Sequence, residues 1–289
     1  MNITTHTIEA NGFRFAVDEA GEGDHLALCL HGFPESRFSW RFQLPLLAEL
    51  GYRAWAPDLR GYGETEPKPQ DVASYRVERL MEDVASLIDA SGAKTVTLLA
   101  HDWGAGVGWT FAINRIRPLD RLVIMNLPHP AVMQANLRRN WAQLKRSWYM
   151  FFFQLPAIPE RALTRNDAQG IRRAFFDMAV DKSNFGPEVL DRYARDAQRP
   201  GAMRAMINWY RAAFRTPGKL AGPFPVLETP TLVIWGEQDS ALGVELLDGT
   251  DAYVRNLTIE RLPGVSHWVQ QEAPEKVNAI LKSWLPRAG

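Results

Sequence analysis

A chain of 289 residues, 46% apolar and 11% aromatic, carries ample material for a sizeable core in one large domain or two. Lysine plus arginine and aspartate plus glutamate stand at 33 each, so the whole-chain charge makes no case for nucleic acid or an anionic membrane. A small-molecule partner is expected instead.

The opening Met1-Asn2-Ile3-Thr4-Thr5-His6 has neither a basic n-region nor an apolar h-region, so no secretory signal is expected and the cytoplasm is the default location. Residues 7–9 and 13–18 flank Asn11-Gly12, a pair suited to a two-residue turn, and predict an antiparallel hairpin. Short apolar runs rich in branched residues follow at 26–30, 52–56, 95–99 and 122–125, and again at 231–235 and 257–262. Amphipathic stretches such as 75–90 separate several of them. This alternation predicts an α/β fold with a mostly parallel central sheet flanked by helices, its active residues gathered at the carboxyl ends of the strands. The one cysteine, Cys29, lies in an apolar run and reads as a buried, inert thiol.

Between Pro128 and about Pro223 the alternation stops and helical signals dominate, with Met203, Met206, Ile207, Tyr210 and Phe214 on one face. Pro187 and Pro200-Gly201 punctuate the region. A helical insertion of this length predicts a cap over the carboxyl edge of the sheet, residues 129–223, within a core domain formed by 1–128 and 224–289. The densest apolar run, 148–153, is far shorter than the roughly 20 residues that cross a bilayer. There is no internal repeat or low-complexity tract.

The stretch Thr95-Val96-Thr97-Leu98-Leu99-Ala100-His101-Asp102-Trp103-Gly104-Ala105 reads as a buried strand running into a sharp turn and then a helix. Ala100, Gly104 and Ala105 are small enough for a strained elbow that pushes a nucleophile outward, and the nucleophile is Asp102 rather than serine. A serine attacking saturated carbon would leave a dead-end ether. A carboxylate leaves an alkyl ester whose carbonyl belongs to the enzyme, so an activated water can attack it and restore the aspartate. Asp102 therefore points to a substrate with an electrophilic sp³ carbon, an epoxide or an alkyl halide. A dinucleotide fingerprint fails, because Gly104, Gly106 and Gly108 are spaced wrongly and Trp109 stands where the third glycine belongs. On the pattern alone Asp102 can also be read as a helix N-cap.

Of six histidines, His267 in Pro263-Gly264-Val265-Ser266-His267-Trp268 follows the last strand, where a loop reaches the cleft, and is the expected base. His6 and His25 lie too early, and His101 precedes the elbow and should point away from the cleft. His129 reads as packing, and His31 as part of a structural turn. Asp239, in the loop after 231–235, is the expected carboxylate partner that fixes the imidazole tautomer, whereas Glu237 reads as a solvated loop charge. Asn126, after 122–125, has no charge to offer.

The order Asp102, Asp239, His267 matches the nucleophile, acid, histidine order of α/β-hydrolases. Together with His31-Gly32-Phe33-Pro34-Glu35-Ser36 and Asp58-Leu59-Arg60-Gly61-Tyr62-Gly63, the chain resembles the epoxide hydrolase branch of that fold over about residues 8–285. The resemblance implies backbone amides of Phe33 and Trp103 as an oxyanion hole, with Asp58 and Arg60 ordering a loop. Tyr149 and Tyr210 are core aromatics by composition alone. In Trp148-Tyr149-Met150-Phe151-Phe152-Phe153-Gln154 and Asn208-Trp209-Tyr210-Arg211 they are similar to the paired lid tyrosines that hold the epoxide oxygen.

Haloalkane dehalogenases are similar too, and share a tryptophan after the nucleophile, but many carry a halide-binding Asn where this chain has Phe33. Fluoroacetate dehalogenases place arginines near the nucleophile, where Trp103 and Val107 stand here, and a halide-binding histidine at the position of Tyr149. Both departures favour an epoxide as substrate, with water as co-substrate. No metal or organic cofactor is expected. A haloalkane or haloacid dehalogenase is the alternative, and a noncatalytic ligand receptor on the same fold is a third reading. Natural substrate, selectivity and oligomeric state are not legible.

Overall fold

The computed structural model describes residues 2–216 and 224–288. Its first strands, β1 (Thr4–Ala10) and β2 (Phe13–Ala20), form the expected antiparallel hairpin, somewhat longer than the sequence pattern suggested. Asn11 and Gly12 both take positive φ, 48° and 76°, the turn geometry that matches the right-handed twist of the flanking strands.

The remaining strands are β3 (His25–Leu30), β4 (Arg53–Pro57), β5 (Thr95–His101), β6 (Arg121–Met125), β7 (Thr231–Gly236) and β8 (Leu257–Leu262). They lie in one eight-stranded sheet of order β1-β2-β4-β3-β5-β6-β7-β8, parallel from β4 to β8. The central strands β3, β5, β6 and β7 are nearly continuous apolar runs because helices cover both faces of the sheet. On one face lie α2 (Val77–Ser91) and α3 (Asp102–Ile113); on the other, α1 (Gln43–Glu49) and α10 (Pro274–Trp284). Leu80, Met81, Val84, Leu87 and Ile88 form the buried stripe of α2. That helix begins at Val77, after a single tight turn over Ala73–Tyr75, rather than at Tyr75. Cys29 is fully buried, and burial raises its thiol pKa.

Between β6 and β7 run α4 (Pro130–Arg139), α5 (Trp141–Arg146), α6 (Trp148–Phe152), α7 (Ile158–Met178), α8 (Pro187–Gln198) and α9 (Ala202–Arg215). Four non-helical residues, Arg165, Asn166, Asp167 and Ala168, interrupt α7. Pro187 opens α8, where its missing N–H costs nothing. The expected end of the insertion at Pro223 lies outside the described residues, as do Met1 and Gly289. On α9 the residues Met203, Met206, Ile207 and Tyr210 are buried as expected, but Phe214 is not. It sits in the last turn, beyond the core, and packs its ring 5.5 Å from that of Phe151. Among the described residues no helix is long and apolar enough to cross a membrane.

Candidate active site

The carboxyl ends of β3, β5, β6 and β7 deliver His31, Asp102, Asn126 and Asp239 to one edge of the sheet. Asp102 is the first residue of α3 and has φ of 47°, the strained conformation of a nucleophile elbow. The turn is possible because its neighbours are small: a Cβ on Gly104 would lie 2.4 Å from the Leu30 carbonyl oxygen, and one on Gly32 would lie 2.4 Å from Asp102 Cβ. No side chain but hydrogen fits at either position.

The two oxygens of Asp102 have different surroundings. Oδ1 accepts a 2.7 Å hydrogen bond from the Phe33 amide. Trp103 follows in the first turn of α3, where a backbone N–H has no partner within its own helix. Oδ2 lies 3.5 Å from His267 Nε2. Burial pushes the Asp102 carboxyl upward, but the bond and charge of His267, the His101 charge and the Phe33 amide together hold it below the ordinary carboxylate value.

His267 donates from Nδ1 to Asp239 Oδ2 at 2.6 Å, which leaves Nε2 facing Asp102. Burial depresses the imidazole pKa, yet the charges and hydrogen bonds of Asp239 and Asp102 raise it well above that of an ordinary histidine. Asp239 is itself pinned: Oδ1 accepts from the amides of Ala241 and Leu242 at 2.8 and 2.9 Å, and Oδ2 accepts from Asn126 Nδ2 at 2.7 Å. Asn126 in turn accepts from the Gly236 amide at 2.9 Å. Its lack of charge excluded it as the acid, but it is the clamp that holds the acid.

Beneath this cluster lies a second one that sequence reasoning assigned no role. Glu35, fully buried, accepts from the Gly32 amide, from His101 Nδ1 and from the side chains of Gln270 and Gln271, all at 2.7–2.8 Å. The far nitrogen of His101 meets the His267 carbonyl oxygen at 2.8 Å. His101 is therefore turned under the elbow and ties the nucleophile strand to the histidine loop. The only advance signal was the position of Glu35 within the His31–Ser36 motif.

The other histidines have structural partners. His31 Nδ1 donates to the Gly32 carbonyl oxygen at 2.9 Å and Nε2 accepts from the Leu59 amide at 3.0 Å, a neutral tautomer, and burial lowers its pKa. His129 caps α4 and stacks on Tyr253 with centroids 4.7 Å apart, burial lowering its pKa to about 4. Asp58 pairs with Arg37, and Arg60 with Asp83, so both order the loop after β4.

The helices between β6 and β7 bring Tyr149 and Tyr210 together, with ring centroids 5.9 Å apart at 82°. Burial, followed by the Asp102 charge, pushes both phenols above their ordinary pKa, so the same carboxylate acts on both. Tyr210 also meets the rings of Trp103 at 4.8 Å and Phe33 at 5.2 Å. The neighbours of the two tyrosines hold them. Asn208 donates to the Gln70 carbonyl oxygen, Trp209 to that of Arg60, and Arg211 to those of Phe153 and Leu155. Gln154 donates to the carbonyl oxygens of Met150 and Tyr210, joining α6 to α9. Three residues of Asn-Trp-Tyr-Arg thus anchor the helix, and the fourth packs against Trp103, the residue after Asp102. Among the described residues no cluster of His, Cys, Asp and Glu is arranged to hold a metal ion.

The fold has known relatives. Residues 28–274 match the alpha/beta hydrolase fold family. The mouse protein named epoxide hydrolase 4 is 37% identical over 286 residues, covering 96% of this chain and 78% of the relative. A Bacillus subtilis AB hydrolase superfamily protein is 36% identical, with 96% of each chain covered. Among solved structures, a Bacillus megaterium epoxide hydrolase in complex with an inhibitor superposes with a TM-score of 0.87 at 34% identity, covering 96% of this chain and 99% of the other. Epoxide hydrolase A of Mycobacterium thermoresistibile gives 0.85 at 30% identity, with 98% of each covered. With the Asp-elbow at the edge of its parallel sheet and these relatives along nearly its whole length, the chain belongs to the epoxide hydrolase branch of the α/β-hydrolase family.

Proposed function

We propose that this enzyme converts an epoxide to a vicinal diol through an alkyl ester on Asp102. The observation that carries the reading is a buried carboxylate at the elbow beside two phenols: the Tyr210 ring packs 4.8 Å from that of Trp103, the residue after Asp102, and 5.9 Å from that of Tyr149. Oδ2 of Asp102 attacks an epoxide carbon, the carbon–oxygen bond breaks, and its electron pair passes to the ring oxygen. Tyr149 and Tyr210, both protonated at neutral pH, donate hydrogen bonds to that oxygen, and one of them passes it a proton and becomes a phenolate.

Esterification removes the Asp102 charge, one of the two that raise the pKa of His267. The imidazole pKa falls, the imidazolium gives its Nε2 proton to solvent, and the neutral ring can then take a proton from water. The resulting hydroxide attacks Cγ of Asp102, and the negative charge on Oδ1 is met by the amides of Phe33 and Trp103. Collapse of this intermediate breaks the ester bond, the leaving alkoxide takes the proton held by His267, and the proton left on the Asp102 carboxyl returns through solvent to the phenolate that protonated the ring oxygen. Asp239 holds the tautomer and stabilises the imidazolium. The helices between β6 and β7 act as a cap, excluding water and carrying the two tyrosines.

Incubation with a panel of epoxides and of chloro- and bromoalkanes tests the reading. Diol formation without halide release supports it. Halide release without diol formation would assign the enzyme to dehalogenation, and tight binding without product or adduct to a receptor.

A further inference from the structure

We propose that the outer face of α5, α6 and the start of α7 docks on an anionic phospholipid bilayer. Trp141, Lys145, Trp148, Phe151, Leu155 and Ile158 are all exposed within residues 141–158, Trp141 by 76% and Trp148 by 64%. Phe214 extends the patch through its contact with Phe151. Isolated surface apolar residues need no explanation, but a run of large exposed side chains that includes two tryptophans marks an interaction surface.

The charge around this face is one-sided. Segment 131–165 contains six arginines and lysines against one acid, Glu160, although the whole chain is balanced, and Arg146 pairs with an acid from elsewhere in the chain, Glu245. Glu160 is taken by the buried Arg211. Arg139, Lys145, Arg161 and Arg165 are exposed and form no ion pair among the described residues. A cleft of about 760 Å³ opens beside the apolar run at Pro156 and Ala157, and Arg161, Arg199, Arg204 and Arg215 are in its walls. Asp102, Asp239, His267, Tyr149 and Tyr210 do not line it, although Asn208 and Arg211, which anchor the helix of Tyr210, do.

Apolar side chains ringed by free cations fit a bilayer that offers both hydrocarbon and phosphate groups. A second copy of the chain fits poorly, because a two-fold contact would bring the same unpaired cations face to face. The proposal does not depend on the chemistry of the active site.

Flotation of the intact protein with vesicles of phosphatidylcholine alone, or mixed with phosphatidylglycerol, tests it. Binding is expected to the anionic vesicles and to fall as salt is added. Each removed cation should lower partitioning about fivefold, so Lys145→Ala with Arg161→Ala should lower it about 25-fold. Trp148→Ala should lower it about tenfold by removing an inserted apolar group. Circular dichroism and thermal melting verify that the variants fold. Absence of flotation with anionic vesicles at low salt would overturn the proposal, as would binding that these substitutions leave unchanged. A concentration-dependent dimer dissolved by Trp148→Ala would overturn it in favour of a second copy.

Discussion

Replacing Asp239 with asparagine changes one atom and should nearly stop turnover, for reasons that follow from its hydrogen bonds. Oδ1 accepts from two backbone amides, Ala241 and Leu242, so the carbonyl oxygen of the new amide must occupy that place. Its NH₂ then stands where Oδ2 was, against Asn126 Nδ2 at 2.7 Å and His267 Nδ1 at 2.6 Å. Two donors now face Asn126 and His267. The imidazole escapes by moving its proton to Nε2, the nitrogen that must accept a proton from water. In the serine protease triad the same substitution costs about 10⁴ in kcat, equivalent to about 5.5 kcal/mol of barrier.

The loss should fall on ester hydrolysis more than on alkylation, because Asp102 Oδ2 attacks carbon without needing a base. Rapid-quench mass spectrometry should therefore find the alkylated Asp102 peptide accumulating in Asp239→Asn while diol release slows by about three to four orders of magnitude. A folded variant whose kcat lies within about tenfold of wild type, or whose ester does not accumulate, would refute the reasoning.

The phenols, the histidine and the buried glutamate give further expectations. Tyr149→Phe and Tyr210→Phe should each slow alkylation by about 10²-fold, the value of one donor to a developing oxyanion, with little effect on hydrolysis; stopped-flow tryptophan fluorescence separates the steps. His267 has its pKa raised in the native state, so the stability it contributes is complete below the unfolded value of about 6.5 and is lost as pH rises through the native one. The melting temperature of wild type should therefore exceed that of His267→Gln by more at pH about 6 than at pH about 10. Glu35→Gln puts an amide NH₂ among four hydrogen-bond donors and should destabilise the fold by about 3 kcal/mol, read by urea denaturation.

Periodicity located the strands well because the central ones are buried on both faces, where composition and burial coincide. The elbow was legible for a similar reason: small residues around Asp102 are a steric requirement, and the distances at Gly32 and Gly104 show how strict it is. Three kinds of feature were not legible. Phe214 continues an apolar helical stripe past the point where the core ends, and periodicity carries no information about where neighbours stop. Asn126 and Glu35 act through polar contacts between segments far apart in sequence, so nothing local distinguishes them from ordinary loop residues. The cations of segment 131–165 vanish in a whole-chain balance of charge, and only the structure shows that Arg139, Lys145, Arg161 and Arg165 are exposed.

The central claim is that Asp102 is alkylated and then freed by attack of water on its own carbonyl. A single turnover in ¹⁸O-labelled water, with enzyme in excess and the Asp102 peptide weighed afterwards, tests it most directly. The mechanism predicts labelled oxygen in the Asp102 carboxylate and none in the first diol formed. Label in that first diol, with an unlabelled Asp102, would mean that water attacks the epoxide directly and would contradict the account.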